Sequence, residues 1–179
     1  MLEVLILALA LSMDAFAVSI GLGVKNKKDI KVLALKAGIF FGIFQAIMPL
    51  IGYLGGVGLK EYIGEYDSII AFVLLMIIGL KMIYEAFGKN TEDTLTIISN
   101  KVLLTLAIAT SIDAMAAGFT LHLFNLNPII SLILIGITTF IFSILGVYIG
   151  SKGGGKYESK AEIFGGIILI LIGFKILIF

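Results

Sequence analysis

Two aspartates set in apolar surroundings are the residues of this sequence whose type and spacing point most directly to chemistry. Asp14 stands in LALALSMDAFA (7–17) and Asp113 in LAIATSIDAMA (106–116). Each lies near the middle of an apolar run long enough to cross a bilayer, where an aspartate costs about 2.5–3.5 kcal/mol on insertion scales. A cost of that size, met twice in 179 residues, asks for a function. On a helical wheel Asp14 shares its face with Ala10, Ala17 and Gly21, and Asp113 with Ala109, Ala116 and Thr120. Small residues at this spacing let helices approach closely, so each carboxylate is expected in a packed seam rather than against lipid. No basic residue is expected at the same depth. Lys81 and Lys175 fall toward the ends of their runs and can snorkel, and Lys81 has Glu85 four residues on. Two carboxylates without a cation repel each other in low dielectric and hold a proton when empty; a divalent cation removes that repulsion. Protonated when empty and ionised when loaded is the chemistry of a cation/proton exchanger. The plainer alternative is a pair of aspartic acids hydrogen-bonding helix to helix.

Further oxygen donors stand at similar depth. Gln45 lies in GIFQAIMPLIG (42–52), just before Pro49, whose ring removes a backbone hydrogen bond and frees a carbonyl. Ser143 is its counterpart later in the chain and shares a face with Thr139. The expected metal ligands are therefore Asp14, Asp113, Gln45, Ser143 and Thr139. Carboxylate, amide, hydroxyl and carbonyl oxygens suit Mg²⁺, Ca²⁺ or Mn²⁺. The absence of Cys and the single His, His122 at the end of a run, argue against zinc or copper. Met13, Met48 and Met115 read as packing.

The elements that position these groups follow from composition. Hydrophobic residues make up 60% of the chain and charged residues 14%, against roughly 25% charged in a soluble domain, and the mean hydropathy is +1.15. That excludes a water-soluble globule. The near balance of 13 Lys against 12 Asp plus Glu excludes a nucleic-acid partner, and the lack of Cys excludes a disulfide scaffold and a Cys nucleophile. Apolar stretches at 2–22, 33–58, 66–87, 101–122, 128–150 and 160–178 predict an all-α membrane protein of six transmembrane helices, with the lipid bilayer as its solvent. The first stretch lacks a preceding Lys or Arg and a convincing cleavage site, and is read as a span rather than a signal peptide. Little chain remains outside the bilayer, no nucleophile and base or His pair occupies a span, and there is no GxxxxGK[ST] motif. An enzyme, a bound cofactor and ATP coupling are not expected. Eleven Lys cluster at the ends joined by loops 1–2, 3–4 and 5–6, with only Lys60 and Lys175 opposite. The positive-inside rule then puts those loops in the cytoplasm and both termini outside.

The two aspartate segments match each other 99 residues apart, through Ala8, Ala10, Ser12, Asp14, Ala15 and Ala17 against Ala107, Ala109, Ser111, Asp113, Ala114 and Ala116. The second run matches the fifth through Ile43-Phe44 and Gly52 against Ile141-Phe142 and Gly150, and IIGLKMI (77–83) matches LIGFKIL (171–177). Three spans per half give two inverted-topology repeats, residues 1–89 and 101–179, joined by a cytoplasmic linker at 90–100, with a site at the repeat interface near the midplane. The glycines at 55, 56 and 58 and at 153–155 are expected either as hinges or as simple turn residues.

The segments SMDAFAVSIGLG (12–23), FGIFQAIMPLIGYLGG (41–56), ATSIDAMAAGF (109–119) and KAEIFGGIILILIG (160–173) resemble the MntP family of bacterial manganese efflux pumps, a branch of the LysE-type exporter group, over essentially the whole chain. The resemblance implies a secondary active exporter in the bacterial plasma membrane, with Mn²⁺ as transported substrate rather than cofactor. Asp14 and Asp113 match the family's two intramembrane aspartates. Some members have Glu where Gln45 stands. Glu162 matches the acidic position that opens the last span and is a candidate gate; its alternative is a carboxylate well placed at a helix N-terminus. A sporulation membrane-protein branch shares the architecture, so the alternatives are an exporter of another divalent cation or small solute, or a non-transporting membrane protein.

Overall fold

The computed structural model describes residues 2–26, 29–63, 66–88, 98–121, 127–153 and 157–178. Among them are six helices: α1 (Leu2–Lys25), α2 (Ile30–Ile63), α3 (Asp67–Gly88), α4 (Asn100–Gly118), α5 (Pro128–Ser151) and α6 (Glu158–Ile178). All six are long and apolar enough to cross a membrane, as the apolar runs predict. Their ends follow local chemistry. Ser99 caps α4 by accepting from the Val102 amide (3.3 Å), and Asn127 caps α5 by accepting from Ile129 (3.0 Å) with Pro128 in the first turn. α4 stops at Gly118, short of the predicted 122; His122 lies outside the described residues, as does most of the 90–100 linker.

The helices pack through small residues. α1 lies against α5 and α6, α2 against α5 and α4, and α3 against α6. At the α1–α5 seam a Cβ added to Gly150 would sit 2.0 Å from the Ile20 carbonyl, and at the α2–α4 seam one added to Gly52 would sit 1.8 Å from the Met115 carbonyl. Only glycine permits backbones this close. Pro49 lies inside an unbroken α2, and its backbone packs onto Gly118. α2 also continues as helix through Gly55 and Gly58, around which nothing lies within 4 Å. Gly153 follows α5 with φ +92°, in the left-handed region, which identifies it as a turn residue; Gly154 and Gly155 lie outside the described residues.

Large apolar side chains point outward. Ile43, Ile47 and Ile51 on α2, Ile133 and Ile137 on α5 and Leu171 on α6 are each about half exposed, while Ala8, Ala10, Ala15 and Ala17 of α1 are fully buried. Leu7, Ile20, Phe41, Leu75 and Leu169 share the interior with these alanines, and small residues at the seams let the helices pack closely where the solvent is lipid. α1 is the central helix, and this centrality places Asp14 inside the bundle.

Candidate metal site

Asp14 is near the middle of α1, and Asp113 is in the C-terminal half of α4. A cavity of about 430 Å³ opens between α1, α3 and α4, lined by Asp14, Val18, Lys81, Tyr84, Glu85, Gly88, Leu106, Ala109 and Thr110. From Asp14 its lining reaches Gly88, the last residue of α3. Asp14 is half-buried and makes no hydrogen bond among the described residues. Asp113 is buried, at 8% exposure.

Asp113 has a basic partner. Lys81 donates to both of its carboxylate oxygens, at 3.0 Å to Oδ1 and 2.9 Å to Oδ2. This corrects the expectation that neither aspartate meets a cation at its depth. Lys81 stands about 10 Å along the helix from Gly88. Its stem reaches inward across the α3–α4 gap instead of snorkelling outward. The expected contact with Glu85 is present and looser, at 3.9 Å. Asp113, Lys81, Glu162 and Glu85 each lie within electrostatic reach of Asp14. The sequence shows Lys81 only as a lysine one turn before Glu85 with a counterpart in Lys175, and neither feature points to Asp113.

The other expected ligands occupy the packed interior and do not line the vestibule. Gln45 is buried and donates through Nε2 to the Leu11 carbonyl of α1 (3.1 Å), leaving its Oε1 without a hydrogen-bond partner. Thr139 Oγ1 and Ser143 Oγ on α5 are likewise buried and unbonded, as is Ser19 Oγ. A buried polar atom left unbonded costs about 1–3 kcal/mol, so these oxygens are unspent acceptors inside the bundle. The serines of the two S-x-D-A segments are satisfied by their own helices, Ser12 by Leu9 (2.8 Å) and Ser111 by Ile108 (3.0 Å). Glu162 is buried at 1% exposure near the start of α6. Among the described residues no three His, Cys, Asp or Glu side chains converge to hold an ion.

Six helices long and apolar enough to cross a membrane, with Asp14 in an open vestibule among them, mark a multi-pass membrane protein. A family model described as "Putative manganese efflux pump" matches residues 28–177. The chain is 72% identical to the MntP protein of Aliarcobacter butzleri, with all of both chains covered. It is 54% identical to that of Saccharophagus degradans (99% and 98% covered) and 49% identical to that of Methanosphaera stadtmanae (99% of each). Each of these relatives carries the same description. No solved structure matches. The chain belongs to the MntP family of manganese efflux pumps, a family of transporters and not of enzymes.

Proposed function

We propose that this protein exports Mn²⁺ across the bacterial plasma membrane by secondary active transport, with Asp14 and Asp113 together holding the ion. The observation that carries the reading is that Asp14 lines a vestibule whose wall also holds Lys81, the lysine that grips the buried Asp113 of another helix. Hard oxygen donors match a divalent cation of the Mg²⁺, Ca²⁺ or Mn²⁺ type, and family membership selects Mn²⁺ among them. Gln45, Thr139 and Ser143 supply neutral oxygens at mid-depth, and Glu162 acts as a gate beside Asp14 as the vestibule closes.

The vestibule lining runs from Asp14 to the end of α3, and we take the side of the α3–α4 connection as its opening. The Lys bias assigns that side to the cytoplasm, which makes this conformation the loading state of an exporter and leaves both termini outside. Pairing of α1 with α5 and of α4 with α2 supports two inverted repeats, residues 1–89 and 101–179, because those seams exchange when the halves are swapped. Coupling is by exchange: a proton leaves the carboxylate cluster as Mn²⁺ arrives. Reconstitution in vesicles tests the reading. Mn²⁺ flux is expected to follow an imposed pH gradient and to be lost in Asp14→Asn and Asp113→Asn at normal protein level. Flux of Mg²⁺ or Ca²⁺ in place of Mn²⁺ would reassign the substrate, and full flux in both variants would remove the site.

A further inference from the structure

Lys81 occupies the place at Asp113 where a metal would bind. Its ammonium lies 3.0 and 2.9 Å from the two carboxylate oxygens, a bidentate grip that covers both oxygens of a buried group. The amine is not sealed in. The Lys81 side chain is 43% exposed in the vestibule wall, and a second carboxylate, Glu85, also 43% exposed, stands one turn toward the mouth with its Oε1 already 3.9 Å away. An ammonium on a four-carbon stem is a flexible point charge. It has two anionic seats along one path, one deep at Asp113 and one shallow at Glu85.

A divalent ion at Asp113 and an ammonium at the same oxygens exclude each other, by contact and by like charge. We infer that Lys81 is a tethered counter-ion: it holds Asp113 while the site is empty and is displaced to Glu85 by the arriving divalent cation, so that it sets how weakly the ion is held and how readily it leaves. The inference rests on the assignment of Asp14 and Asp113 as the metal site. It adds what that assignment lacks, a resident positive charge that keeps the empty carboxylates from trapping the ion. A transporter needs such weakness, because an ion bound too tightly is not released on the far side. The matching lysine, Lys175, has a different role. It pairs with Glu3 at the far end of α1, eleven residues before Asp14, and leaves Asp14 to the vestibule.

The native chain has no cysteine, so the charge at this position can be switched chemically in one folded protein. The Lys81→Cys variant is purified in lipid nanodiscs and titrated with Mn²⁺, with free Mn²⁺ read by electron paramagnetic resonance. It is expected to bind Mn²⁺ about tenfold more tightly than the native protein, the effect of removing ~1.4 kcal/mol of competition. Aminoethylation of the thiol, which restores an ammonium, is expected to return native affinity. Capping with a neutral methylthio group is expected to leave the tight state. A merely structural lysine predicts equal affinities for the two adducts, and that result would overturn the inference, as would unchanged or weaker binding in Lys81→Cys. Lys81→Met, which keeps the stem and drops the charge, carries the same comparison should the cysteine variant fail to accumulate, and it too must bind more tightly. Asp14→Asn and Asp113→Asn in the same titration separate the two readings. If they bind like the native protein, the metal site itself is wrong. If they lose Mn²⁺ while every change at Lys81 is silent, the site stands and the counter-ion falls.

Discussion

Two seams of this bundle carry matching sequences and are packed differently. Where α1 meets α6, Gly165 presses its backbone onto Ala10 and Met13, and Lys175 pairs with Glu3 at the far end. Where α4 meets α3, helices that match these in sequence barely touch, and Lys81 reaches across the opening to Asp113. Ala10 and Ala109 occupy the same place in the two S-x-D-A segments, yet Ala10 is fully buried and Ala109 is exposed to the vestibule. A seam closes when a glycine lets backbones meet, and it stays open when the contact is a long charged side chain. The difference gives each aspartate its situation: Asp14 lines the open vestibule, and Asp113 is buried behind it in the grip of Lys81.

The largest effect should come from the carboxylates that the open seam exposes. Losing one member of a buried charge cluster costs about 2–5 kcal/mol, more than about 30-fold in binding. Asp14→Asn and Asp113→Asn should each lower Mn²⁺ export in vesicles by at least that factor. Equal export by either variant would show that the open seam does not lead to the site.

Access should separate the seams next. A cysteine at Ala109 is expected to react with an impermeant thiol reagent applied from the side of the α3–α4 connection, and to be protected by Mn²⁺. A cysteine at Ala10 is expected to stay unreactive from both sides; even ~1.4 kcal/mol of required opening slows reaction about tenfold. Comparable labelling at the two positions would erase the contrast. Labelling of Ala109→Cys from outside alone would reverse the assignment of the loading face.

Packing gives a smaller difference. A Cβ at Gly165 would lie 2.8 Å from the Ala10 carbonyl and from the Met13 Cβ, so Gly165→Ala should destabilise the protein by about 1–3 kcal/mol. Ala109→Val, facing the vestibule, should stay within about 0.5 kcal/mol of the native protein. Thermal unfolding in detergent reads both. The least effect belongs to the ion pair at the rim of the closed seam. Glu3 and Lys175 are 42% and 55% exposed, and Glu3→Gln should cost less than about 1 kcal/mol. A larger loss in the same melts would mean that the pair, and not Gly165, holds the seam shut.

The sequence by itself determined the number of helices and most of their ends to within two residues, because length and apolar runs are local properties; the C-terminal ends of α1 and α4 and both ends of α2 differ by three to five residues. It also singled out Asp14 and Asp113, since a carboxylate within an apolar run is conspicuous whatever surrounds it; Glu162 came only from the family resemblance. The partners of these groups were not legible there. Lys81 reads from its own helix as an end residue with Glu85 four positions on, and nothing within α3 says that α4 lies across a gap of one lysine's length. Gln45, Thr139 and Ser143 have the right chemistry and depth, but the tertiary structure turns them into the packed interior and not toward the vestibule. Likewise the match between Ala10 and Ala109 is complete in sequence and broken in space. Which of two seams with matching sequences closes depends on the combined packing of all six helices. Local sequence sets the members of each seam; only the tertiary contacts decide which one is open and, with it, which aspartate receives the lysine.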